Sequence, residues 1–354
     1  MKTVTTGVVL LSFAHSHQYH WGRAFLNDAR CKVLGAWDAD PERGARAAAD
    51  LGVRFFSELD DILSLPEVTA VAICAANADK PELVKAAAKR GLHVLCEKPT
   101  ATTLRDVWEM SHAVEEAGVT FVQSFPHRLI PANRHIKDLL ASGKLGKVGL
   151  VRKRHGHGAA LTHLAASMPW IVDAQQSGGG ALLDEGIHEM DLLRYNFGDP
   201  LSVTAEIGTL QTDLSVEDTG VALFRFPENI LVELSAGWTW PAGGPTTEIY
   251  GTNGTLIQSF TDLASNAAPD PSRMHLRLWS VGDDQWQDLG YGSDFKGIHA
   301  EMARHFLAVI TEGIAPCAGM LDGLKSLEMA IGCYVSAKEG RRVDFPLPGG
   351  LVNS

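Results

Sequence analysis

The sequence predicts an α/β protein in two parts: an N-terminal doubly wound parallel sheet, then an α+β part with an open, mostly antiparallel sheet. Three observations predict this. Over roughly the first 125 residues, short uncharged apolar runs alternate with helix-like stretches, the pattern of a parallel sheet covered on both faces. After Pro126, alternating segments follow one another with no helices between them. The 354 residues are 45% hydrophobic and 21% charged, a globular composition in a chain long enough for two cores.

The first part reads in order as strand Val4–Leu11, a helix from His20 to Asn27, strand Lys32–Trp37 and an Ala-rich helix Pro41–Leu51. Strand Val53–Phe56, helix Glu58–Leu63 and the charge-free strand Ala70–Cys74 follow. Helix Lys80–Arg90 ends at Gly91, a common stop. Strand His93–Cys96, helix Leu104–Ala117 before Gly118, and strand Thr120–Gln123 complete the part. The expected boundary divides 1–126 from 127–354. Beyond it come helix Ala132–Ser142, strand Val148–Arg154, a His- and Gly-rich loop and helix Gly180–Phe197. Six strand candidates then run from Leu201 to Val281, and helices Ile298–Glu312 and Leu321–Glu339 close the chain.

The formal net charge is −11 and no basic block occurs, so nucleic acid is not an expected partner. The five cysteines are widely spaced with no C-x-x-C, so neither a disulfide framework nor a zinc ribbon is indicated. The apolar stretch Gly7–Ala14 is far too short to span a membrane, and Lys2 before it makes only a thin signal-like charge. Read as a first strand, it implies a cytoplasmic protein with no membrane partner.

In doubly wound sheets, ligands bind outside the carboxyl ends of the strands, and G-x-G-x-x-G after the first strand is the usual phosphate grip. Here that stretch is Ser12-Phe13-Ala14-His15-Ser16-His17, with none of the three glycines. Ser12 and Ala14 still let backbone come close to a pyrophosphate, whereas His17 is bulkier than the third glycine. The second strand ends at Asp38, placed to accept from a ribose diol and to repel a 2′-phosphate, which favours NAD over NADP. The competing reading is that Asp38 only starts the turn and caps the helix after Pro41. His15, His17 and His20 match no common zinc spacing, so a polar loop over a cofactor is preferred to a metal.

Further on stand Cys96-Glu97-Lys98-Pro99 and Gly178-Gly179-Gly180-Ala181-Leu182-Leu183-Asp184-Glu185-Gly186-Ile187-His188-Glu189-Met190-Asp191-Leu192-Leu193-Arg194-Tyr195. Together they resemble the Gfo/Idh/MocA family of oxidoreductases. Weaker family-like features are Arg128-Leu129-Ile130-Pro131, Ser142–Val148, Gly251–Leu256 and the Gly340–Pro346 tail. The resemblance implies a Rossmann domain, NAD or NADP, a sugar, polyol or related substrate, and a homodimer or homotetramer through the open sheet. Two departures stand out: the absent glycine loop, and Ala75-Ala76-Asn77-Ala78-Asp79-Lys80 where the family usually reads T-P-N-x-x-H. Asn77 is kept, so a cofactor contact there remains open.

Oxidising a secondary alcohol needs a base for the hydroxyl proton and a donor to the reacting oxygen. His188 is the expected base. On a helix, Asp184, His188, Asp191 and Tyr195 share a stripe amid apolar residues, so Asp184 orients the imidazole or binds a substrate hydroxyl. Lys98 is expected to donate to the reacting oxygen, with Glu97 pointing the other way along an extended chain. Cofactor contacts are expected from Ser12, Phe13, Ala14, His15, His17, Asp38, Asn77, Glu97 and Lys98, and substrate contacts from Arg128, His155, His157, Trp170, Asp184 and His188. A metal at His155, His157 and His163 lacks support. The expected activity is an NAD(P)-dependent dehydrogenase of sugar-like or cyclitol alcohols. A non-catalytic nucleotide or sugar sensor of the same fold is the alternative, supported by the missing glycines.

Overall fold

Six parallel strands in the order β3-β2-β1-β4-β5-β6 form the first sheet. In the computed structural model, which describes residues 5–241, 246–259, 275–290 and 297–349, they alternate with helices as the pattern predicts. In chain order these are β1 (Thr6–Leu11), α1 (His17–Leu26), β2 (Cys31–Trp37), α2 (Pro41–Leu51), β3 (Phe55–Phe56), α3 (Leu59–Leu63), β4 (Val68–Ile73), α4 (Lys80–Lys89), β5 (His93–Glu97), α5 (Leu104–Ala117) and β6 (Phe121–Ser124). Val4 and Lys2 lie outside the described residues. All of β1 is buried, as a central parallel strand requires. Helix α2 starts under Asp40, whose Oδ1 accepts from Glu42 N and Arg43 N, with Pro41 in the first turn, and it stops at left-handed Gly52. The strand order reverses between β1 and β4, so ligand-binding loops converge at the carboxyl ends of those strands.

The second sheet has nine strands in the order β14-β13-β12-β11-β7-β10-β9-β8-β15. Its part of the chain opens with α6 (Pro131–Ala141), β7 (Val148–Gly156), α7 (Leu164–Ser167), α8 (Ala174–Ser177), α9 (Ala181–Asp184) and α10 (Gly186–Phe197). Then come β8 (Ser202–Gly208), β9 (Thr219–Arg225), β10 (Leu231–Gly237), β11 (Thr246–Gly251), β12 (Gly254–Ser259), β13 (His275–Ser280) and β14 (Trp286–Asp288). The chain ends with α11 (Ile298–Glu312), α12 (Met320–Glu339) and β15 (Val343–Asp344). Only β7 and β10 pair in parallel; the other neighbours are antiparallel. In β9 alternate residues are buried while Val221 and Leu223 are exposed, which leaves one sheet face open.

The chain divides into two units, Met1–Leu129 with Gly297–Leu324, and Ile130–Lys296 with Lys325–Ser354. Both are discontinuous in sequence. Helix α11 packs Met302, Ala303, Phe306 and Leu307 into the core around Trp21 and Phe25 of α1, with the Phe25 and Phe306 rings 6.4 Å apart. Among the described residues no helix is long and apolar enough to cross a membrane.

Candidate functional site

In the first unit the candidate residues lie at the carboxyl ends of the strands. Ser12 follows β1 with φ +67°, a left-handed conformation that favours glycine. The loop is stitched to its neighbours: Ser12 N donates to Trp37 O (2.7 Å), Phe13 N to Asp38 Oδ2 (2.6 Å), Ala14 N to Ser12 Oγ (3.3 Å) and His15 N to Cys74 O (3.1 Å). Helix α1 begins at His17, three residues before the expected start at His20, so His17 stands in its first turn.

Asp38 is buried, and its carboxylate receives four hydrogen bonds: from Phe13 N, Asp40 N (2.9 Å), and Arg43 Nε (2.9 Å) and Nη2 (2.6 Å). It is Asp40, not Asp38, that caps α2. A ribose diol reaching Asp38 would take the place of the Arg43 fork, whose side chain is 33% exposed.

The departure at Lys80 has a structural meaning. Its ammonium is fully buried and donates to Asn77 Oδ1 (2.8 Å), Lys98 O (2.9 Å) and Pro99 O (2.8 Å), so all three protons are placed. Burial lowers its pKa to about 8. Lys80 therefore braces the segment that carries Lys98, where the Lys98–Pro99 peptide is cis. Lys98 is itself only 4% exposed, unlike an ordinary solvated lysine.

Glu97 is also buried, with His17 Nδ1 at 3.3 Å from Oε2. Burial raises its pKa, but His17, Lys98 and Lys80 outweigh this and hold it at about 2. Neither of its oxygens has a well-formed hydrogen bond among the described residues. A buried carboxylate short of donors suits a hydroxyl-bearing cofactor such as a nicotinamide ribose. The imidazoles of His15, His17 and His20 gather here with His299 of α11: the His17 ring lies 3.6 Å from His299 and 4.0 Å from His15, and His20 lies 5.6 Å from His299. Burial drives the His299 pKa well down. No local sequence signal connects His299 to a loop some 280 residues earlier. Arg128 is buried, donating to Asp322 Oδ1 and Cys317 O at 2.8 Å each.

In the second unit Gly178 is left-handed, with φ +79°, while Gly179 and Gly180 are set by close packing. A Cβ on Gly179 would lie 2.1 Å from Tyr334 Oη, and one on Gly180 would lie 2.0 Å from Glu217 O. Glu217 supplies the cap that α9 needs: its carboxylate accepts from Gly180 N (2.8 Å) and Leu182 N (3.1 Å), and its carbonyl from Ala181 N (2.9 Å). The stretch expected as one helix, Gly180–Phe197, is two, α9 and α10, with Glu185 between them. Asp184 Oδ2 accepts from Trp238 Nε1 (3.1 Å), and His188 is buried.

Strand β7 extends two residues beyond its expected end at Arg154, so part of the expected loop is strand. Lys153 and His155 alternate on its inner side and His157 follows its end, opposite two acids the sequence reading missed. Lys153 Nζ meets Glu189 Oε2 (2.6 Å), His155 Nδ1 meets Glu189 Oε1 (2.7 Å), His155 Nε2 meets Glu185 Oε2 (2.8 Å), and His157 Nε2 meets Glu185 Oε1 (3.1 Å). All five side chains are buried. The match is geometric: alternate strand residues and helical i, i+4 residues repeat at nearly the same distance, about 6–7 Å. The signal was present in the sequence as Lys-x-His-x-His and Glu-x-x-x-Glu.

His157, Asp184 and Glu185 offer ligand atoms within 4.8 Å of one another. However, His157 Nδ1 accepts from Ala159 N (3.1 Å), so its Nε2 carries the proton and has no lone pair for a cation. His163 is exposed and pairs with Thr162 Oγ1. Trp170 packs on the cluster of Ala159, Leu164 and Ile171. Tyr195, at the far end of the expected stripe, lies under Lys137 Nζ at 3.7 Å.

Comparison with known proteins follows the same division. A model described as oxidoreductase family, NAD-binding Rossmann fold, matches residues 7–125, and the GFO/IDH/MocA C-terminal domain model matches residues 133–257. The chain is 31% identical over 234 residues to 1,5-anhydro-D-fructose reductase of Ensifer adhaerens, covering 64% of this chain and 68% of the relative. It is 26% identical over 353 residues to D-apiose dehydrogenase of Paraburkholderia graminis, covering 94% and 87%. It is 24% identical over 317 residues to myo-inositol 2-dehydrogenase of Thermotoga maritima, covering 86% and 89%. In fold it is similar to the crystal structure of aldose-aldose oxidoreductase from Caulobacter crescentus complexed with glycerol, with a TM-score of 0.81 at 23% identity over 96% of this chain and 100% of that one.

Proposed function

This chain belongs to the Gfo/Idh/MocA family of NAD-binding oxidoreductases, and on that premise we propose that it is a dehydrogenase moving hydride between nicotinamide and a secondary alcohol of a sugar, polyol or cyclitol. Residues 1–126 would hold the dinucleotide and 127–354 the substrate. The observation that carries the reading is Lys98: buried at the carboxyl end of β5, beside a buried Glu97 and braced by Lys80, it is built into the fold for a task other than solvation.

Bound NAD supplies the hydride acceptor. Lys98 Nζ donates to the reacting oxygen and stabilises the alkoxide as it develops. His188 takes the hydroxyl proton on a ring nitrogen, and Asp184 binds a neighbouring hydroxyl or aligns the imidazole. Glu97, Asn77 and the loop Ser12, Phe13, Ala14, His15 and His17 contact the cofactor. Asp38 favours NAD, provided Arg43 leaves its fork. A free Arg43 beside a 2′-phosphate would favour NADP instead. We assign Arg128, His155 and His157, each engaged with a carboxylate, to the frame of the site, and Trp170 to its substrate side. The exposed outer sheet face, with Val221, Leu223 and Tyr250, is the surface through which we propose that the chain forms a dimer or tetramer. Light scattering after size exclusion tests that assignment, and a monomer at micromolar concentration would refute it.

The main test is a thermal-shift titration with NAD and NADP, followed by a sugar and polyol panel read by NADH absorbance. His188→Ala and Lys98→Ala should each lower turnover by about 10²–10⁴-fold, and His188→Ala should keep the NAD thermal shift. Besides the missing glycines, the sensor reading is supported by the full set of hydrogen bonds already on Asp38. Dinucleotide binding without turnover on any alcohol would establish it, and the absence of any shift with either dinucleotide would refute the dehydrogenase.

A further inference from the structure

We infer that His155 is a positioning residue: a fixed cation stacked behind His188 that keeps the His188 imidazole neutral and ready to accept a proton. The inference rests on the proposed role of His188 as the base.

The geometry sets the charge of His155. Its Nδ1 lies 2.7 Å from Glu189 Oε1 and its Nε2 lies 2.8 Å from Glu185 Oε2. A neutral imidazole has one N–H and one lone pair, and at one of these contacts the lone pair would face a carboxylate oxygen. Both contacts are attractive only if both nitrogens carry protons, so the ring is an imidazolium. Burial alone would lower its pKa, but Glu185 and Glu189 outweigh that and raise it to about 10.

The surrounding charges close on themselves. Lys153 pairs with Glu189, His155 joins Glu189 to Glu185, and His157 donates to Glu185 as a neutral ring. Within these contacts two cations face two anions. On its own and neighbouring elements, the buried carboxylate of Asp191 lies one turn further along α10, Asp184 of α9 accepts from Trp238, His155 of β7 presents its ring, and Lys137 of α6 sits on Tyr195, two turns further along α10.

The His155 and His188 rings lie 5.8 Å apart at 20°, face over face. In that arrangement no ring N–H points at the other ring's lone pair, so no proton passes between them. What crosses the gap is the field of the imidazolium, which opposes a second positive charge on His188. A base kept neutral in this way would be competent at neutral pH and would become protonated only at lower pH.

The test uses the full chain, without substrate, labelled with ¹⁵N-histidine. In the wild type at pH 8, both ring nitrogens of His155 should carry protons while His188 is neutral. A His155 with one unprotonated ring nitrogen at that pH would overturn the inference, and this arm needs no variant. In His155→Gln, the His188 midpoint should rise by about one pH unit or more. In His155→Lys, which keeps a cation, it should stay near the wild-type value. An unmoved His188 midpoint in a His155→Gln protein that retains wild-type tryptophan fluorescence would also overturn it. Loss of turnover in His188→Ala belongs to the functional reading alone. Full turnover there would refute the base while leaving the NMR result standing, so the two failures are distinguishable.

Discussion

Position 12 and positions 179–180 treat glycine in opposite ways. After β1 the backbone asks for glycine, since φ at residue 12 is +67°, yet the chain places Ser12 there. At the start of α9 no left-handed backbone is needed at Gly179 and Gly180, yet both glycines are kept because Tyr334 Oη and Glu217 O would lie about 2 Å from any Cβ. A glycine required by dihedral alone can be given up for about 1–2 kcal/mol. A glycine required by a neighbouring backbone cannot be given up without moving that neighbour. On this footing position 12 can hold a serine, whereas Gly179 and Gly180 cannot take a side chain.

The comparison can be broken at either end. Gly180→Ala should give the largest effect, a loss of about 3 kcal/mol or more in urea unfolding, because the Cβ meets a carbonyl that also caps α9. A change under 1 kcal/mol would mean that the Glu217 segment yields easily. Lys80→Met should cost about 1–3 kcal/mol by stranding the carbonyls of residues 98 and 99. It should also weaken turnover more than it weakens NAD binding, since the segment it braces carries Lys98.

A third prediction concerns pH. His155 is held at about 10 against an ordinary 6.5, so the folded state binds this proton more tightly than the unfolded one. Its contribution is complete below pH 6.5 and fades as pH rises to about 10. The stability difference between wild type and His155→Gln should therefore shrink across that window, and a difference that stays flat would contradict the ion-paired ring. The smallest effect is expected at Ser12→Gly, a gain of about 0.5–1 kcal/mol from relief of the left-handed strain. A loss there would mean that the Ser12 Oγ bond to Ala14 N outweighs the backbone.

Elements with clean periodicity were readable from the sequence. Helices α2, α5 and α11 and strand β11 begin and end where the pattern says, because caps, glycine stops and uninterrupted alternation mark them. The buried polar groups were harder. Lys153 read as the end of a strand and His155 and His157 as loop, because polar residues look exposed until their partners are known. Those partners, Glu185 at the junction of α9 and α10 and Glu189 on α10, come some thirty residues later in a stretch whose polar stripe is read as Asp184 and His188. Asp38 was recognised at the right strand end, but its fork with Arg43 was missed, because a charge pair five residues apart is one of many in any sequence. The histidine cluster showed three of its members locally. The fourth, His299, comes from a segment that rejoins the first unit late in the chain.

The charge ladder between β7 and α10 also constrains how this enzyme can diverge. Each rung shares a partner with the next, so a single neutral replacement leaves a buried ion with a lost partner, a cost on the order of several kcal/mol in a chain with little to spare. Viable descendants should therefore change positions 153, 155, 185 and 189 in compensating sets, an acid and a base lost together. Aligned relatives would show those four columns inherited as one linked block.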